Sequence, residues 1–259
     1  MEVLRLILAG LSQPARGHLA MLAFSALVAG SFSLGVLAAP HIDPGALSVL
    51  RFLLAGLLVG AAALATTGIP RSAFVAPWRY LVLGGLLAAY FVLMFEGLKT
   101  APPVSAAAVF TLTPVMAAGF GWLFLRQRLT GRMAFALAVG GLGALWVIFR
   151  ADLAALKAMA IGRGEAIYFV GCVAHAAYAP LIRRLNRGEP AVVFTFGMML
   201  AGTLLLAIYA WPAVLATDWA ALPGVVWVTL VYVAVAASAL TFVLLQYASL
   251  RLPVAKVMT

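Results

Sequence analysis

From Val104 to Leu125 the chain runs for 22 positions without a charged side chain, and the run ends at Arg126 and Arg128. In a helix rising about 1.5 Å per residue, that length crosses the roughly 30 Å hydrocarbon core of a bilayer. Similar runs recur along the whole sequence. They predict spanning helices at about 18–39, 44–66, 78–99, 104–125, 131–149, 164–185, 190–211 and 221–250, with a ninth starting at Val254. With 66% hydrophobic and 9% charged residues, these helices cannot all hide inside a water-soluble core. The fold class is therefore all-α integral membrane protein.

The connections carry the expected breakers: Pro40 with Pro44, Gly68 before Pro70, Pro102 with Pro103, Gly162, Gly188 with Pro190, and Pro212. Ahead of the first span, residues 1–17 read as a cytoplasmic or interfacial tail. Its apolar part, Val3 to Leu11, is too short to span, and as a signal peptide it lacks a convincing cleavage site.

A net charge of +10 does not point to nucleic acid, because the cations stand singly or in threes between apolar runs rather than in a basic stripe. They report topology instead. With the N-terminus inside, twelve of the 17 cations fall on inner segments, and only Lys99, Arg150, Lys157 and Arg163 fall on outer ones. The positive-inside rule then predicts a cytoplasmic N-terminus in the cytoplasmic membrane. Arg51 is left within the second span. It reads either as an anchor snorkelling to the outer interface or as a cation facing a cavity. A single cysteine, Cys172, allows no intrachain disulfide and supplies no metal set, so no cofactor is expected.

An internal repeat sets the expected architecture. A shift of 146 places Pro44 on Pro190 and Leu54-Ala55-Gly56 on Leu200-Ala201-Gly202, and a shift of 150 places Pro103 on Pro253 and Glu96 on Gln246. Five spans per copy is an odd number, so the copies must have opposite orientations. The result is an inverted repeat of two five-helix units, ten transmembrane helices when complete. The units fall at 18–150 and 164–259, joined by a linker at 151–163. By this register Thr259 corresponds to about Val109, so the second unit is expected to be incomplete in this chain.

Pro114 falls near the middle of the fourth span. Its missing N–H leaves the Phe110 carbonyl without its helical donor, and Thr111 and Thr113 are the nearby substitutes. Such a weak point is tolerated against protein or a water-filled cavity; a kink that only shapes packing is the alternative. The midpoints of the other spans place Ser31, Phe32, Tyr90, His175, Tyr178, Ser238 and Thr241 at the same depth, and with Thr111, Thr113 and Pro114 they form the candidate substrate site. His175 reads as a proton-carrying or substrate-binding group, or as a neutral imidazole donating to a carbonyl. Glu96, taken as the only carboxylate within a span, lies about 120° around its helix from Tyr90, and Lys99 follows three residues later. With Gln246 it is a candidate for gating or proton coupling, and a rim salt bridge is its other reading. Gly140, Gly141 and Ala144, like Ala117 and Gly121, are small residues spaced for close helix approach.

The segments Val49-Leu50-Arg51-Phe52-Leu53-Leu54-Ala55-Gly56, Phe95-Glu96-Gly97-Leu98-Lys99, Thr113-Pro114 and Ala176-Ala177-Tyr178 to Arg183-Arg184-Leu185 resemble, in order and spacing, EamA-type members of the drug/metabolite transporter superfamily. The resemblance implies a ten-helix carrier of small metabolites, often an exporter of amino acids or related compounds, with a central cavity lined by spans one, three, four, six, eight and nine. The sequence departs from the family at His175, where an aromatic residue is common. The expected function is thus a secondary transporter working by alternating access, with a small-molecule substrate and the lipid bilayer as partners. A permease for sugars, nucleosides or drug-like cations is an alternative, as is an integral-membrane enzyme acting on lipid-linked or phosphate substrates. An enzyme would need clustered catalytic groups, whereas the seven acidic residues are scattered.

Overall fold

The computed structural model describes residues 12–153, 161–252 and 254–257. Most of the N-terminal tail and part of the linker lie outside the described residues. Among those described, eight helices are long and apolar enough to cross a membrane: α1 Gln13–Ala38, α2 Pro44–Thr66, α3 Trp78–Leu98, α4 Pro103–Leu125, α5 Gly131–Ile148, α6 Arg163–Leu185, α7 Ala191–Ala216 and α8 Gly224–Ser249. A short α9, Val254–Val257, follows.

Helix starts follow local chemistry. Asp43 accepts from the N–H groups of Gly45 and Ala46 at 2.8 and 3.1 Å, with Pro44 as the first residue of α2. Thr130 caps α5 in the same way through Met133. Ser12 accepts from Ala15, so α1 begins at Gln13, five residues before the expected start. The expected stop at Pro212 is also corrected, because α7 continues through it to Ala216. In an apolar setting a helix loses less by forgoing one bond at proline than by opening several backbone groups. Pro180 is carried inside α6 for the same reason.

The bundle core is where α3 lies along α6, α7 lies along both α2 and α3, and α8 lies along α1. The closest crossings use glycines. A Cβ on Gly84 would sit 2.6 Å from the Gly202 nitrogen and 2.7 Å from the Met198 oxygen, and one on Gly97 would sit 2.6 Å from the Gly164 oxygen. Ala117 packs on Ala176 and Ala179 of α6, as its small size suggests. The fifth span does not behave as expected: Gly140 has nothing within 4 Å, and Gly141 meets only a Val115 methyl at 3.5 Å. Helix α5 buries just Leu137, Ala144 and Ile148 and stands off α4 across a crevice of about 960 Å³.

One end of the bundle is tied by cations. Arg79, buried, donates to the carbonyls of Val75 at 3.0 Å and Leu185 at 2.6 Å and pairs with Glu189 at 2.7 Å. Burial alone would push the Glu189 carboxyl up, but the hydrogen bonds from Arg79 and from the Arg187 backbone hold it below its usual range. At the same end Arg184 donates to the Phe124 carbonyl and Arg251 to the Gln13 side chain. The opposite end carries the Lys99–Glu96 pair at 2.6 Å and a bond from Ser105 to the buried Glu165 at 2.8 Å. Glu165 lies in the first turn of α6, so Glu96 is not the only carboxylate within a span.

Candidate functional site

At mid-bundle the side chains converge on a small, largely buried cavity of about 10 Å³, roughly the space of one water. Its walls come from both halves of the sequence. Phe24, Val28 and Ser31 approach from α1, Tyr90, Phe91 and Met94 from α3, Phe110 from α4 and His175 from α6. Ala237, Thr241 and Phe242 complete it from α8. The second span also contributes, through Arg51, which the resemblance did not imply.

Arg51 does not snorkel. It is 1% exposed, and its guanidinium lies 3.5 Å above the Phe91 ring. Its Nε donates to the Ser238 hydroxyl and its Nη2 to the Ala237 carbonyl, both at 2.6 Å. The local backbone of α8 explains this placement. Over Val235–Leu240 the helix widens into a π turn, a deviation that takes backbone groups out of α-helical register and recurs at functional sites. That turn brings Ala237 and Ser238 to the guanidinium. Among the described residues Nη1 has no hydrogen-bond partner, and neither has Nδ1 of His175, which is 2% exposed.

Aromatic rings fill the rest. The His175 ring is 4.5 Å from that of Tyr90 and 5.4 Å from that of Phe110, and the Tyr90 hydroxyl is 2.9 Å from that of Tyr168. Phe32 meets Phe110 and Tyr168 edge-on.

Helix α4 is interrupted where its sequence suggests. Its two segments are Pro103–Phe110 and Thr113–Leu125. The Thr113 hydroxyl donates to the Phe110 carbonyl, and the Thr111 hydroxyl donates to the Ala108 carbonyl at 2.7 Å. Thr113 therefore replaces the donor that Pro114 lacks.

The sequence-derived candidates divide by position. Ser31, Tyr90, His175 and Thr241 line the buried cavity, and Ser238 holds Arg51 beside it. Phe32, Thr111 and Pro114 line a separate groove of about 700 Å³ between α1, α4 and α5. Tyr178 is one layer behind, donating to the Met198 sulfur at 2.8 Å and accepting from Gln246 at 3.4 Å. The Gln246 side-chain oxygen has no protein partner. Glu96 is at the rim with Lys99. Phe24, Val28 and Phe110 line both the groove and the buried cavity, so they form the partition between them. Sequence reasoning left Arg51 between an interfacial anchor and a cavity cation, and missed Tyr168 and Phe91. An arginine in an apolar span was the signal available for the first.

Eight apolar helices around a buried polar centre define a multipass α-helical membrane protein. The sequence matches the model of the EamA-like transporter family over residues 15–149 and 162–259, and the chain belongs to that family. A curated relative, the uncharacterized transporter YyaM of Bacillus subtilis (strain 168), is 27% identical over 194 residues, which cover 74% of this chain and 64% of the relative. A solved protein crystal structure superposes with a TM-score of 0.66 at 23% identity, covering 95% of this chain and 82% of its own. That likeness concerns the fold.

Proposed function

We propose that the protein is a secondary transporter that moves small metabolites across the cytoplasmic membrane by alternating access, with the buried cavity as its substrate site. The observation that carries this reading is the cavity itself. It is small and lined mostly by buried side chains, polar at mid-depth, walled by helices from both halves of the chain, and separated from a much larger groove by the side chains of Phe24, Val28 and Phe110. A carrier must pass through a state that buries its site, whereas a channel needs a continuous path. The two irregular backbone stretches, the break in α4 and the π turn in α8, both border this cavity, where non-α-helical backbone is tolerated and able to bend.

An inverted repeat of two five-helix units accounts for the packing. Exchanging α1 with α6, α2 with α7 and α3 with α8 pairs the main contacts of these six helices: α3 on α6 becomes α8 on α1, α7 on α3 becomes α2 on α8, and α2 on α7 maps onto itself. The family match in two segments supports the same division. Rocking of one unit against the other then opens the cavity to each side in turn, with a cytoplasmic N-terminus and with Glu96 and Gln246 near the moving rims. His175 is the imidazole on the cavity wall, and it is the group to which this reading assigns proton coupling. The substrate class is amino acids or related compounds, and the direction is export.

The test is counterflow by the purified protein in liposomes. Vesicles preloaded with amino acids, 2-oxo acids, sugars, nucleosides or quaternary amines are offered the labelled solute, with and without a pH gradient. Accumulation of one class above protein-free vesicles is the expected result. Absence of counterflow for every class contradicts the transporter reading.

A further inference from the structure

We propose that the carried solute bears a carboxylate and that Arg51 receives it, an assignment that rests on the transporter reading above. Arg51 is a buried cation that no carboxylate of the described residues meets. Nε and Nη2 are bonded to Ser238 and Ala237, one face of the guanidinium is covered by Phe91, and Nη1 of this cavity-lining residue is left unbonded among the described residues. A guanidinium in an apolar interior is costly unless an anion or a full set of acceptors meets it.

No acidic residue lines this cavity among the described residues. The carboxylates nearest in function are engaged elsewhere: Glu96 by Lys99, Glu165 by Ser105 and Glu189 by Arg79. His175, whose Nδ1 is also unpartnered among the described residues, lines the same cavity. A planar carboxylate matches a guanidinium edge through charge-assisted hydrogen bonds and is smaller than the phosphate that also does so.

The remaining walls describe the rest of the solute. Tyr90, Phe91, Phe110 and Phe242 are aromatic and suit an apolar or aromatic body. Nothing acidic waits for an ammonium group, and a cation would face the unneutralised guanidinium. Amino acids qualify through their carboxylate, and a 2-oxo acid of the same skeleton qualifies better. Because the cavity is small and largely buried, entry requires the Phe110 partition at the α4 break to withdraw, which joins the site to the groove.

The experiment compares phenylpyruvate, phenylalanine, phenylacetamide and phenethylamine, by thermal shift in detergent and by counterflow in liposomes. Phenylpyruvate is expected to bind most tightly. Arg51→Gln is expected to weaken it about tenfold or more while Arg51→Lys retains part of the affinity, as for loss of a charge-assisted bond. Without ligand, Arg51→Gln should melt at the wild-type temperature or above, since it removes an uncompensated buried charge. Equal binding of the amide or amine and the carboxylate by the wild type overturns the assignment, whether or not the variants fold, as does the absence of carboxylate binding. So does unchanged carboxylate affinity in Arg51→Gln. Counterflow of a neutral or cationic solute that survives Arg51→Gln overturns it and leaves the transporter reading standing; no counterflow of any solute overturns both.

Discussion

The break in α4 depends on one hydroxyl, and that dependence can be measured. In Thr113→Val the shape is conserved but the donor to the Phe110 carbonyl disappears. Pro114 cannot replace it, because the N–H that would reach back four residues is absent. A buried carbonyl left unpaired costs about 1–3 kcal/mol, and the site is apolar on the protein side, with Thr113 itself 1% exposed. Thr113→Val should therefore destabilise by about 2 kcal/mol. Pro114→Ala restores the N–H and lets the helix close over the gap. Residues 111 and 112 already have near-helical dihedrals, φ −68°, ψ −8° and φ −77°, ψ −16°, so closure needs little movement. In the Pro114→Ala background, Thr113→Val should then cost about 0.5 kcal/mol or less, giving a coupling of about 1–2 kcal/mol. Equilibrium unfolding in mixed micelles with added sodium dodecyl sulfate reads both numbers, and counterflow reads the functional side. Pro114→Ala should keep its expression level and lose transport as the hinge stiffens. Equal destabilisation by Thr113→Val in both backgrounds would refute the replacement-donor argument, and unchanged transport by Pro114→Ala would refute the hinge.

Three further predictions concern other parts of the bundle. Gly84→Ala places a methyl 2.6 Å from the backbone of α7, so α3 and α7 must separate by several tenths of an ångström. A loss of about 1–3 kcal/mol is expected in the same unfolding assay, and Gly140→Ala, with nothing within 4 Å, serves as the neutral control. The Glu189 carboxyl is held below its ordinary value of 4.5, so its pairing with Arg79 stabilises the fold above that pH and the stabilisation is lost as pH falls through the folded-state pKa. The melting-temperature gap between wild type and Glu189→Gln should accordingly be open at pH 7 and shrink below about pH 4.5; a gap that is constant or widens in acid contradicts the sign. His175→Ala should raise the KM for the carried solute by about tenfold with little change in expression, whereas Tyr178→Phe, one layer behind the cavity, should change it by about threefold or less. Equal effects from the two would contradict their different placement.

The spans were legible because length and apolarity alone identify them, and so was the α4 break, because proline removes a donor wherever it stands. Rotation about each helix axis was not. Lipid-facing and protein-facing sides are both apolar here, so periodicity carries only part of the signal: Tyr178 shares a face with His175 as its spacing implies, the rings stacked 6.1 Å apart, but its hydroxyl goes to Met198, and Glu96 takes the rim pairing with Lys99, one of its two readings from sequence. The π turn was hidden as well, since Val235–Leu240 reads VAASAL, a sequence with no breaker in it. The inward position of Arg51 depends on that turn, which supplies two of its acceptors. The close approach expected at Ala117 is found, whereas the one expected at Gly140 and Gly141 is not, for a related reason. Glycine spacing marks where approach is permitted, and only the packing partner decides between Gly84 and Gly140.

The central claim is that the buried cavity is reached from each side of the membrane in turn. The direct measurement is alkylation of a cysteine placed in its wall, Thr241→Cys in a Cys172→Ala background, by a membrane-impermeant maleimide in right-side-out and in inside-out vesicles. The account predicts labelling in both orientations, slowed in both when the transported solute is present. Labelling from neither side, or from one side only whatever solute is added, would contradict it.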